Sequence, residues 1–293
     1  VSYLLLLQAP DIKLLGVGAI DADGYIDPSV EACRKMTDLF NLRGDDLTIA
    51  RSNSRAVNQF PHEWRMATYS FNYLPMLNES GKIDTQQAKL PAHLDMVEKI
   101  KEADEPIALV MTGPLTDLAR ALDVDPDIEK NIEKLYWMGG SLDGHGNVAM
   151  VNADGSQEWN SFWDPYAVKR VFESNIPIQM VGLESTEELP LNDELRQHWA
   201  SLRKYPAMDL IGQGYSLIVS IPSAELYLWD VLTTISALYP EVVETETAKA
   251  RVITDGLSAG SFVRDPKGRE VTLVTKANKD LFFQKMDEIL ERK

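Results

Sequence analysis

The chain has 293 residues, 44% of them hydrophobic, with 29 basic against 45 acidic side chains and a net charge of −16, so it is long enough to bury one large α/β core. That charge argues against a nucleic-acid surface, because a polyanion would approach against the overall field, and no apolar run reaches the roughly 20 residues of a membrane span. The lone cysteine, Cys33, excludes an intramolecular disulfide and a multi-Cys zinc site, and a reducing, cytoplasmic setting is the default expectation. With no repeat, linker or low-complexity stretch, residues 1–293 are expected to form a single domain with loop insertions.

The opening "VSYLLLLQAP" lacks the basic n-region and small-residue cleavage site of a secretory signal. It reads as the buried end of a helix, closed by Pro10 and leading into a strand over Leu14 to Ile20. In "DPSVEACRKMTDLF" Asp27 and Pro28 take the N-cap and N1 pattern, and Val30, Cys33 and Phe40 recur at helical spacing. Cys33 is therefore expected to be a core thiol rather than a nucleophile. The runs Ile107 to Met111, Leu135 to Met138 and Ile178 to Leu183 are continuously apolar, as strands covered on both faces are. Asp164 and Pro165 open a further helix that puts Val168, Val171 and Phe172 on one face. The stretch from Leu191 to Ser223 reads as helices flanking the mouth of a site. The alternation predicts an α/β fold: a mostly parallel, Rossmann-like central sheet flanked by helices, with right-handed crossovers.

In such sheets ligands bind beyond the carboxyl ends of the strands. The residues there are "DAD" (Asp21 to Asp23), "TGP" (Thr112 to Pro114), "GGS" (Gly139 to Ser141) and "EST" (Glu184 to Thr186). Acidic and hydroxyl groups on one rim suit a hard cation or a polyhydroxylated ligand. Two further segments stand out: "GNVAMVNADGSQEWNSFWDP" at 146–165, with Asn147, Asn152, Glu158 and Asn160, and "LYLWD" at 226–230. Carboxamides beside a charged acceptor are what recognition of sugar hydroxyls requires. Composition alone, however, makes these ordinary loop residues.

The order of the segments singles them out. "DAD", "AVNQFPHEW", "VMTGPLTDLA", "YWMGG", "GNV", "QEWNSFWDP", "YLWD" and the closing "REVTLVTKANKDLFFQKMDEIL" together resemble the nucleoside hydrolases along nearly the whole chain, and within them the purine-preferring inosine-adenosine-guanosine branch. The resemblance implies calcium-dependent hydrolysis of the N-glycosidic bond of purine ribonucleosides to free base and ribose, by a homodimer. Thr112, through its backbone carbonyl, and Asp230, through its carboxylate, would hold Ca²⁺. Asn147, Glu158 and Asn160 would hold the ribose hydroxyls. Asp23 corresponds to an acidic residue near the ribose and leaving base. Trp64 and Trp229 correspond to the tryptophans that sandwich the purine, a contact worth roughly 1–3 kcal/mol per base. The remaining tryptophans, Trp137, Trp159, Trp163 and Trp199, are expected in the core.

Pyrimidine-accepting members of the family carry a histidine acid beside the equivalent of Asp230, where this chain has Trp229. His62, His93, His145 and His198 fall outside the matched acid position and are expected at the surface. The family's first strand ends in an aspartate cluster, D-x-D-x-x-x-D-D, that supplies the water-activating base and most calcium carboxylates. "VSYLLLLQAP" resembles the helix after that cluster, so the general base is expected upstream of Val1. The alternative is a catalytically inactive nucleoside- or ribose-binding homologue, and a purely structural module ranks last because no repeat or heptad is visible.

Overall fold

In the computed structural model, which describes residues 1–218 and 226–292, the apolar opening is helix α1 (Ser2–Gln8), with Leu4, Leu5 and Leu7 fully buried. Ala9 takes the extended backbone that a following proline imposes, and the helix stops there. The first strand, β1 (Val17–Ala19), is shorter than the apolar run that predicts it. It pairs in parallel with β2 (Ile49–Arg51), a strand too short to give a readable run.

Between them, α2 (Ile26–Phe40) begins two residues before the predicted start. The expected Asp27 cap is thereby corrected: the Asp21 carboxylate accepts the Ile26 N–H (3.1 Å), and Asp27 pairs with Arg51 instead. Pro28 still falls where a missing N–H costs no intrahelical bond. Cys33 packs inward from α2, and burial pushes its thiol up to about 12, which agrees with a core thiol.

The chain continues through α3 (His62–Arg65), α4 (Ala67–Asn72), α5 (Ala92–Glu102), β3 (Ile107–Met111), α6 (Thr116–Val124) and β4 (Ile132–Met138). Next come α7 (Trp159–Trp163), α8 (Pro165–Phe172), β5 (Ile178–Val181), α9 (Leu183–Thr186), α10 (Asp193–Ser201) and α11 (Pro206–Ile218). The last elements are α12 (Trp229–Leu238), β6 (Val243–Val252), β7 (Phe262–Arg264), β8 (Arg269–Ala277) and α13 (Lys279–Leu290). The helices expected between Leu191 and Ser223 are α10 and α11; residues 219–223 lie outside the described residues.

The larger sheet has the order β3-β4-β5-β8-β6-β7. Its first four strands are mutually parallel, and β6 runs antiparallel to both β8 and β7. Strands β1 and β2 form a separate parallel pair. Helices cover both faces: Trp199, Leu232, Phe282 and Met286 build one apolar layer with α1, while Leu118, Trp137, Val168 and Val171 build the other. This is the α/β architecture that continuous apolar strands require. No helix among the described residues is long and apolar enough to cross a membrane.

Candidate functional site

Because β1, β3, β4 and β5 are parallel to their neighbours, the four segments "DAD", "TGP", "GGS" and "EST" all follow carboxyl ends of strands. Two of them meet α7. The Asn160 side chain donates to the Thr112 carbonyl (3.3 Å) and to the Met138 carbonyl (3.0 Å). Glu158 caps α7, accepting the N–H groups of Asn160 (2.9 Å) and Ser161 (3.1 Å), and reaches across to the Gly140 N–H (2.9 Å). Gly140 is obligatory there: its φ is +76°, and a Cβ would come within 2.4 Å of Met180. Asn147 accepts the Trp159 N–H (3.2 Å) through its side-chain oxygen, which fixes the carboxamide beside the same helix.

Glu158 is only 2% exposed. Burial pushes its carboxyl up to about 7 even though three N–H groups favour the ionised form, and the charge of Asp230 pushes the same way. Asp230, in the first turn of α12, is also raised to about 7 by burial. Asp23 is raised to about 7 by burial and then by Asp230, while Arg65 opposes the shift. Asp23 nevertheless remains open to solvent. Asp230 thus lies within electrostatic reach of both Asp23 and Glu158, although the three come from separate parts of the chain.

Four of the six tryptophans fall in the core, as expected. Trp137, Trp159, Trp163 and Trp199 are core residues, whereas Trp64 and Trp229 are only partly buried. The Trp64 ring meets Trp159 edge-on (5.4 Å, 71°), and Trp159 in turn stacks on Phe60 (4.9 Å, 23°). Trp229 meets Tyr227 edge-on (5.6 Å, 61°), and its indole N–H is buried without an acceptor among the described residues.

Other predicted residues stand elsewhere. Asn152 is exposed and bonds to Asn58 (3.0 Å). Ser185 and Thr186 are buried and return their hydroxyls to the Gly182 carbonyl (3.2 Å each), so the "EST" segment caps structure. His62, His145 and His198 are at the surface as expected, but His93 is 7% exposed. It lies on the inward face of α5, and burial lowers its pKa. Arg65 was not anticipated: it is 8% exposed, pairs with Asp21 (2.6 Å) and lies 4.0 Å over the Tyr25 ring. Nothing in "HEWR" distinguishes it from a solvated helix arginine.

The donors present are oxygens, a carbonyl at Thr112 and carboxylates at Asp23 and Asp230, which in kind fit a hard cation. In number they are few, since the described residues hold no cluster of three or more acidic, histidine or cysteine side chains placed to bind a metal.

Known proteins share this fold and match this sequence. The family described as inosine-uridine preferring nucleoside hydrolase matches residues 1–284. A solved inosine-uridine preferring nucleoside hydrolase from Bacillus anthracis is 43% identical and superposes with a TM-score of 0.95, covering 99% of this chain and 94% of that one. A purine-preferring ribonucleoside hydrolase from Gardnerella vaginalis, 21% identical, shares the fold with a TM-score of 0.79 over 99% of this chain and 93% of that one. Among curated proteins, a pyrimidine-specific ribonucleoside hydrolase of Shewanella woodyi is 41% identical over 99 residues, 34% of this chain and 30% of that protein. A non-specific ribonucleoside hydrolase of Salmonella paratyphi A is 33% identical over 195 residues, 64% of this chain and 60% of that protein. The chain thus spans under two thirds of the length of either curated relative.

Proposed function

The chain belongs to the inosine-uridine preferring nucleoside hydrolase family, and from that premise we propose that it hydrolyses the N-glycosidic bond of purine ribonucleosides to free base and ribose. The observation that carries this reading is the meeting of two strand ends at α7, where Asn160 donates to the Thr112 and Met138 carbonyls and Glu158 accepts the Gly140 N–H, with Asp230 acting electrostatically on both Glu158 and Asp23. Carboxyls and carboxamides gathered there are suited to a ribose.

In this reading Asn147, Glu158 and Asn160 grip the sugar hydroxyls. Their orientation is set in advance by the backbone groups they bond, so little ordering cost remains when substrate binds. The Thr112 carbonyl and the Asp230 carboxylate would be two of the oxygens that hold Ca²⁺, an ion that takes about 6–8. When bound, the cation supplies the Lewis acidity that makes water a nucleophile at neutral pH. Asp230, raised to about 7 by burial, would be favoured in its charged form by a neighbouring positive charge.

Purine preference follows from the aromatic side of the site. A departing purine takes the bond electrons onto its ring, and a dry indole face favours the base in its neutral, protonated form. Trp64 and Trp229 are the two tryptophans left accessible for that role. Asp23, raised to about 7, can carry a proton at neutral pH and lies near enough to Asp230 to belong to the same site. Hydrolysis rates with inosine and uridine test the preference: kcat/KM should favour inosine. Equal or faster turnover of uridine would contradict the purine assignment and leave hydrolysis itself standing.

A further inference from the structure

We propose that Arg65 is a positioning residue that locks the Trp64-bearing helix α3 onto the Asp21–Asp23 turn, and so sets where the leaving base meets Trp64 and Asp23. The inference rests on the hydrolase reading of the same site. Helix α3 has four residues and no side-chain cap, far too short to hold itself in place. Its position therefore depends on tertiary ties, and these converge on the turn after β1.

Arg65 contributes the central tie. Its guanidinium donates to Asp21 Oδ1 (2.6 Å), the carboxylate that also accepts the Ile26 N–H (3.1 Å) at the start of α2. Its flat face lies 4.0 Å over the Tyr25 ring, and the Tyr25 hydroxyl hydrogen-bonds to His62 Nδ1 (2.5 Å) in the first position of α3. The Tyr25 N–H donates to Thr68 Oγ1 (3.1 Å), whose hydroxyl donates to the Arg65 carbonyl (2.6 Å). From the segment before α3, Gln59 donates to the Asp21 carbonyl (2.9 Å) and accepts the Trp163 indole N–H (3.0 Å).

Arg65 stays buried although its Nε finds no acceptor among the described residues. Burying an incompletely satisfied guanidinium is costly, and a lysine could not both pair and stack as this fork does. Trp64 and Asp23 flank this joint, one beside Arg65 in the chain and the other two residues after Asp21. Loosening the joint shifts the two groups relative to each other without removing either.

The test compares inosine with a p-nitrophenyl riboside, whose leaving group departs without protonation or stacking, in the full-length protein. Wild-type turnover of both ribosides is the reference, and its absence would overturn both the hydrolase reading and this inference. Arg65→Met should lower kcat for inosine by roughly a hundredfold, the effect of about 1 Å of misplacement, with far less loss on the nitrophenyl substrate. Asp21→Asn, which keeps an acceptor for the Ile26 N–H, should give the same selective loss and carries the test if the first variant does not fold. The double variant should be no worse than the poorer single one. Equal losses on both substrates, additive losses in the double variant, or wild-type inosine turnover in either single variant would overturn the inference.

Discussion

Glu158→Gln separates the structural duty of this side chain from the cost of its charge. The carboxylate accepts three N–H groups in the core. An amide turns one acceptor into a donor, so at least one buried N–H loses its partner, at about 1–3 kcal/mol. Against this, the amide carries no charge to desolvate. Burial lifts the carboxyl from its ordinary 4.5 to about 7, so between those values the folded protein binds a proton that the unfolded chain releases. Wild-type stability therefore falls as pH rises across that window, by on the order of 3 kcal/mol at about 1.4 kcal/mol per pH unit. The glutamine variant has no such loss. In urea denaturation with chelator present, Glu158→Gln should be less stable than wild type at pH 5, and should draw level with it or pass it by pH 8. A deficit of the same size at both pH values would refute the reasoning, because it would mean that Glu158 is not held against its own ionisation.

Three further outcomes are expected. Asp230→Asn should abolish any rise in thermal midpoint on adding Ca²⁺, because ligand-linked stabilisation requires a site in the folded state; an undiminished shift would place the ion elsewhere. Trp229→Ala should lower kcat/KM for inosine by about 5- to 150-fold, the equivalent of roughly 1–3 kcal/mol of stacking, while inhibition by free ribose stays unchanged; equal loss of both would rule out contact with the base. Leu5→Ala, at a side chain with no exposed surface, should cost about 2–5 kcal/mol in denaturant unfolding, and a change below about 1 kcal/mol would show that α1 is not part of the core.

How much of this was legible depended on local signal. Strands β3, β4 and β5 are continuous apolar runs because helices cover both faces, and such runs can be read directly. Strand β6 was not anticipated. Along "VETETAKARV" only Ala248, Ala250 and Val252 are buried, so the charged exposed face hides the strand from a search for apolar runs. The Asp27 cap was misplaced because the proline pattern is local, whereas Asp21 supplies the acceptor from across a turn. His93 was expected at the surface because a single histidine carries no periodic signal, yet α5 turns it inward.

The site shows the same division. Trp64 and Trp229 were set apart from the other four tryptophans by resemblance, and they are the two that are only partly buried. The contact between Thr112 and Asn160 spans 48 positions, and its partners were named through resemblance, because spacing alone says nothing over that distance. Arg65 was missed because its partners, Asp21 and Tyr25, lie more than one element away.

The account turns on ribose release from inosine by the full-length protein, measured as reducing sugar with and without a chelator. It predicts hypoxanthine and ribose in equal amounts, lost on chelation and restored by Ca²⁺. Inosine that binds without any release of ribose, with Ca²⁺ present, would contradict it and leave a nucleoside-binding protein in place of an enzyme.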